Sequence, residues 1–463
     1  MDVLLTAVPI FLFVVGLFFL LRLRGFYLLH PIRCMRLLMA RRPSEGVSPA
    51  RALTVALAGT LGVGNIVGVA SALYLGGAGA IFWMFVSTFV AMVLKYVEIT
   101  LAMRHRRTDG QGGTTGGAPY YIRDGLTQAG CPRLGCILAV VFALLCLANA
   151  ITMGSVLQVN AVSGAMSESF HVPPLVTGGA LAILCVSVMR GGARRISALT
   201  ERLVPFMTVG FLVLCLAVII LRRERLPATM TAIWQDAWSA RCVGGGIGGF
   251  VMSRGVRYGV MRGLVSNEAG CGTAPMAHAA AETNSPATQG IFGIFEVFVD
   301  TMLLCTVTAL AILVSDSGPN ACGEDAVRTA EAAFSSVLGA WAGSFFSLSI
   351  LLFGAATVIC WSHYGMTCVR YLFSHGGTCR GRWAEQGYTA VFAVSLVAGA
   401  VAAPTLAWQL ADVAIAVMTL LNLLVLLLMH REVEEETLLL FPRHTRPRKA
   451  AYTEKNPHPK GEQ

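Results

Sequence analysis

The chain consists largely of apolar runs, each about as long as the roughly 20 helical residues needed to cross a bilayer. Eleven can be drawn, at roughly 3–21, 53–75, 79–103, 135–165, 173–189, 203–221, 242–261, 290–314, 339–363, 387–403 and 405–429. The fourth is longer than a span requires; the seventh is weak, rich in Gly and carrying Arg254 and Arg257. Soluble domains carry about 25% charged residues, whereas here 13% of 463 are charged and 55% are hydrophobic. The reading is an all-α polytopic membrane protein. The net charge of +10 falls in short clusters between apolar runs, so it reads as a topology signal and not as a nucleic-acid footprint.

The first run is preceded by Asp2 and no basic residue, unlike a secretory signal with its positive leader, and is expected to be a retained helix. With the N-terminus outside and the C-terminus inside, 29 of the 35 Lys and Arg residues fall on the cytoplasmic side and 5 outside, with Lys95 inside a span. That bias supports an inner-membrane, N-out, C-in topology. The 13 cysteines are scattered, many of them inside apolar runs, without CxxC or Cys/His ligand spacing, so neither a metal site nor a disulfide framework is expected.

Within the second run lies Ala58-Gly59-Thr60-Leu61-Gly62-Val63-Gly64-Asn65. Three glycines and an asparagine are poor material for a membrane helix, each Gly costing about 1 kcal/mol against Ala. Unpaired backbone survives at membrane depth only where it lines a cavity; the bland reading is close helix packing through small residues. A second such stretch, Val243-Gly244-Gly245-Gly246-Ile247-Gly248-Gly249-Phe250, lies in the seventh run. With the first helix set aside, the two interruptions occupy the first and sixth of ten spans. Five helices separate matching positions, so the second half crosses in the opposite sense. Interrupted helices at matching positions of inverted halves point to a transporter site at the midplane.

In such a break, freed N–H groups attract an anionic group and freed carbonyls a cation. Gly62, Gly64 and the glycines 244–249 suit the first task. Asn65 and Gln158 offer amide groups to substrate or ion, or interhelical hydrogen bonds. Asp300, inside the run 290–314, is a candidate ion or proton site, or a structural hydrogen-bond partner. Thr357 could coordinate Na⁺ or back-bond to its own helix. Lys95 and Glu98 read as a local pair. The Gly-rich segment 109–117 lacks a phosphate-loop signature, and without HExxH or GxSxG no enzyme is expected.

The runs Gly62–Ala70, Leu75–Met84, Gly116–Ile122, Ser266–Ala279 and Trp361–Gly365 resemble those of the alanine/glycine:cation symporter family, over about 20–429. The resemblance implies the leucine-transporter-type 5+5 inverted repeat with an extra N-terminal helix, and Na⁺-driven uptake of small neutral amino acids such as alanine, glycine, serine or D-alanine. It also implies Na⁺ ligands from the carbonyls of Ala58, Leu61 and Ala356 and the Thr357 hydroxyl. The implied substrate contacts are Gly62, Gly64, Asn65, Gln158, Gly246, Gly248, Gly249, Phe250 and Trp361. The chain departs from the family pattern at Val63 and Ala356, each losing a hydroxyl, and at His363 and Met366.

The expected organisation is an extra helix at 1–24, a basic cytoplasmic linker at 25–52, the first repeat at 53–222, an extracellular loop at 223–241, the second repeat at 242–430 and a mostly disordered cytoplasmic tail at 431–463. No cofactor is expected beyond Na⁺ as coupling ion. The expected partners are a small neutral amino acid, Na⁺ or H⁺, and lipid. The Ser266–His278 run is expected to pack a cytoplasmic gate. Two rivals remain: a proton-coupled carrier using Asp300, and a channel whose Gly-rich segments form a filter.

Overall fold

The computed structural model describes residues 2–40, 47–108, 114–238, 254–283, 285–323, 325–373 and 377–442. Apart from one two-residue ladder (Arg107–Thr108 with Thr114–Thr115), its regular structure is helical. The main helices are α1 (Asp2–Arg22), α2 (Pro49–Thr60), α3 (Val67–Gly76), α4 (Gly79–Arg104), α5 (Pro132–Phe170), α6 (Pro174–Met189) and α7 (Gly192–Leu221). After these come α8 (Arg254–Asn267), α9 (Pro286–Val314), α10 (Ala340–Phe373), α11 (Gly377–Ala400), α12 (Pro404–Leu428) and α13 (His430–Leu440).

Helix starts follow local chemistry. Pro opens α2, α5, α6, α9 and α12, where its missing N–H costs nothing. Ser48 caps α2 by accepting from the Arg51 N–H at 3.2 Å, and Ser285 does the same for α9 through Thr288.

Among the described residues, six helices are long and apolar enough to cross a membrane: α4, α5, residues 195–221 of α7, α9, α10 and residues 408–428 of α12. In α4 and α10, 72% of the most apolar window is buried, against 39% in α5 and α7. The first two are therefore interior struts, and the other two carry the lipid-facing surface. α10 packs against α2, α5, α7 and α11, while α4 packs against α8 and α9. Small residues set the α4–α8 approach: a Cβ on Gly259 would lie 2.3 Å from the Ala80 carbonyl oxygen.

Each drawn span meets a described helix, though the seventh, 242–261, is described only from Arg254 and runs on to Asn267. One expectation changes. Lys95 does not pair with Glu98: its ammonium lies 3.3 Å from Glu296 on α9, both side chains fully buried. Glu98 instead accepts from the Gly272 N–H at 2.7 Å and from Asn422. A buried pair across helices wins because α4 presents both residues to the protein interior, where an i,i+3 contact leaves the other carboxylates uncompensated. The linker contains a nine-residue helix, Pro31–Met39, and the loop 223–241 contains the helix Leu226–Ala237. The tail begins with α13, held by ion pairs of its glutamates with Arg22 and Arg104.

Candidate functional site

The second apolar run breaks where its glycines are. α2 ends at Thr60, Gly62 is extended (φ −111°, ψ −162°), residues 63–65 form a single 3₁₀ turn, and α3 begins at Val67. Glycine at 62 is required by space, since the backbone angles are open to any residue. A Cβ there would lie 2.8 Å from the Thr357 hydroxyl and 2.9 Å from the Gln158 amide oxygen.

The break leaves backbone groups that buried surroundings must satisfy. The Gly62 N–H donates to the Asn65 side-chain oxygen at 3.1 Å, and the Val63 N–H donates to Gln158 Oε1 at 3.1 Å. Both acceptors are neutral amides. On the other side, the Thr357 hydroxyl donates to the Ala58 carbonyl at 2.9 Å, with the Leu61 carbonyl at 3.5 Å. Carbonyl oxygens from the end of α2 and a hydroxyl from α10 thus converge on one point. Ala356 is buried beside Thr357, and Gly64 is buried in the 3₁₀ turn.

Asn65 also joins the break to α9. Its amide N–H groups donate to the Asp300 carboxylate at 2.7 Å and to the Asp300 carbonyl at 3.1 Å. The other carboxylate oxygen accepts from Ser266 at 2.8 Å and Thr301 at 2.6 Å, and Cys305 Sγ lies 3.3 Å from Ser266 Oγ. Every one of these side chains is buried. Such a set of donors is what an ionised carboxylate at this depth requires.

Both arms of the site are aimed by π-helical turns. One spans Thr152–Leu157 and delivers Gln158; the other spans Phe298–Cys305 and carries Asp300. The inserted residue shifts the helical register, and such turns frequently sit at functional sites.

The tertiary arrangement therefore brings together Ala58, Leu61, Gly62, Asn65, Gln158, Asp300 and Thr357. The Trp361 indole N–H is committed to Glu268 at 2.9 Å, and its ring packs on Gly154, where a Cβ would lie 2.5 Å from the ring Cγ. Glu268 adopts a left-handed conformation (φ 52°) between α8 and the helix Ala274–His278 and accepts from Thr273 at 2.6 Å. Gly246, Gly248, Gly249 and Phe250 lie outside the described residues.

Ser266 and Cys305 were not legible as site residues. Ser266 belongs to a run expected only to pack a gate, and Cys305 reads as one apolar-run cysteine among many. A hydroxyl next to Asn267 carries no signal by itself; only the α8–α9 contact gives it meaning.

A family model described as the sodium:alanine symporter family matches residues 2–452. The chain is 35% identical over 429 residues to the sodium/alanine symporter AgcS of Methanococcus maripaludis, covering 91% of each chain. It is 34% identical to the amino-acid carrier protein AlsT of Bacillus subtilis, over 89% of this chain and 85% of that one. Among solved structures, MhsT in complex with L-phenylalanine matches with a TM-score of 0.53 at 13% identity, covering 86% of this chain and 93% of that chain. The architecture is thus the leucine-transporter type.

Proposed function

The chain belongs to the sodium:alanine symporter family, a family of multi-pass membrane transporters, and from that premise we propose that it imports small neutral amino acids with Na⁺ by alternating access. The observation that carries this reading is the convergence of the Thr357 hydroxyl with the Ala58 and Leu61 carbonyls at the end of a broken helix. The C-terminal end of α2 is the negative end of its dipole and attracts a cation. Na⁺ would take the place of that hydrogen bond, the intact Thr357 O–H rotating away so that an oxygen lone pair faces the ion, with the Ala356 carbonyl as a further ligand.

The substrate carboxylate would take the place of the neutral oxygens now holding the Gly62 and Val63 N–H groups. Hydrogen bonds to charged groups contribute about 1.5–3 kcal/mol against about 0.5–1.5 for neutral ones, so the exchange favours the anion. Gly64 would complete the pocket, with Trp361 closing it. Because residues 58–65 serve both ligands, each raises the affinity for the other. The arginine and lysine distribution supports N-out, C-in insertion in a bacterial or archaeal cytoplasmic membrane.

Uptake of labelled alanine into proteoliposomes, with and without a Na⁺ gradient, tests this reading. Gradient-driven uptake inhibited by excess glycine supports it. Uptake driven by a proton gradient alone supports a second reading, in which Asp300 titrates. The observation favouring that one is that the Asp300 carboxylate is fully buried with, among the described residues, only the neutral side chains of Asn65, Ser266 and Thr301 bonded to it, and Asp300→Asn should then abolish proton coupling.

A further inference from the structure

We propose that the junction between α1 and α13 is a binding site for the headgroup of an anionic phospholipid, with the helix Pro31–Met39 lying in the adjoining leaflet surface. A cavity of about 260 Å³ opens there, between Arg22, Arg24 and His30 on one side and Thr437, Leu438 and Phe441 on the other. Its one acid, Glu434, is already neutralised by Arg22 at 3.0 Å, which leaves Arg24 and the His30 ring facing the space. Arg33 extends the basic rim, donating to the Leu440 carbonyl at 2.7 Å with its guanidinium 4.9 Å from the Phe441 ring.

The surroundings select a lipid over a soluble anion. Leu21, at the end of the apolar α1, is 69% exposed, and exposed apolar side chains continue past the cavity at Leu29 (68%), Ile32 (68%), Met35 (49%) and Met39 (74%). Positions 32, 35 and 39 share one helical face, while Cys34 points inward and is buried. Water does not hold such a stripe beside a cluster of arginines; the boundary between headgroups and acyl chains does. A phosphate in the cavity would sit between Arg24 and His30, with its acyl chains running along α1 and the exposed stripe. The proposal stands apart from the transport assignment, since its readout is retained lipid.

The test is native mass spectrometry of the full chain in detergent, titrated with phosphatidylglycerol or with phosphatidylcholine of the same acyl chains. Preferential retention of phosphatidylglycerol is expected. Arg24→Asn, a change compatible with the left-handed backbone at this position (φ 56°), should weaken it about fivefold, as loss of about one surface cation does. His30→Gln should weaken it as well, and Arg223→Gln, two residues past the end of α7 and outside the cavity lining, should leave it unchanged. Equal retention of both lipids, or equal loss from Arg223→Gln, would overturn the site. Displacement of the lipid by millimolar inorganic phosphate would make a free phosphate the ligand and overturn the lipid assignment. Unchanged monodispersity and Tm show that the variants are folded.

Discussion

The hydroxyl of Thr357 lies 2.9 Å from the carbonyl oxygen of Ala58, residues 299 positions apart in the chain. Thr357 of α10 meets α2 where α2 stops forming its own hydrogen bonds, so a side chain completes what the helix left open. Much of the site's expected behaviour follows from that contact.

Thr357→Val keeps the shape and removes the oxygen. The Na⁺ concentration giving half-maximal alanine uptake should rise about tenfold, equivalent to about 1.4 kcal/mol. Ala356→Ser, which adds a hydroxyl beside it, should lower that concentration. A Na⁺ titration of initial uptake rates reads both, and an unchanged titration for Thr357→Val places the ion elsewhere.

Gly62→Ala puts a methyl group within 2.9 Å of both Thr357 Oγ1 and Gln158 Oε1. Overpacking of this kind costs about 1–3 kcal/mol, and it should abolish uptake while leaving a membrane-inserted protein with a lowered Tm. Wild-type uptake by this variant is the outcome that removes Gly62 from the site.

Gln158→Leu leaves the Val63 N–H buried without its acceptor, at a cost of about 1–3 kcal/mol. Substrate should restore part of that, because its carboxylate supplies the missing acceptor. The expected signature is a larger rise in Tm on adding alanine than the unaltered protein shows. Equal shifts would mean that the carboxylate binds away from Val63.

His105, just past the end of α4, approaches Glu432 of α13 at 2.8 Å and Asp124 at 3.9 Å. Burial lowers its pKa, but hydrogen bonds and charge from Asp124 and Glu432 outweigh that and raise it to about 8. A raised pKa gives stability that is complete below the unfolded value of about 6.5 and lost as pH climbs through about 8, at most about 2 kcal/mol. The protection factors of the α13 amides, exchange corrected for its intrinsic base-catalysed rise with pH, should therefore fall between about pH 6.5 and 8.5, and His105→Gln should flatten that dependence.

The membrane class, the eleven runs, the break after Thr60 and the pairing of two inverted halves were all legible in the chain. They rest on local physics: apolar length against bilayer thickness, glycine against helix, arginine against translocation. The family resemblance added Ala58, Leu61 and Trp361, which no composition marks, and placed Thr357 and Gln158 with them at the break.

Tertiary structure decided where each polar group spends its hydrogen bonds. From sequence, Lys95 sits one turn from Glu98, yet it meets Glu296; Asp300 is a carboxylate in an apolar run, yet it is caged by Asn65, Ser266 and Thr301. Ser266 entered the site and the Trp361 indole went to Glu268 for the same reason. A span's length and breaks are properties of neighbouring residues and can be read along the chain. Partners in a membrane interior are chosen by whichever helix face lies opposite, across tens to hundreds of positions, because buried polar groups must be satisfied there by other parts of the protein.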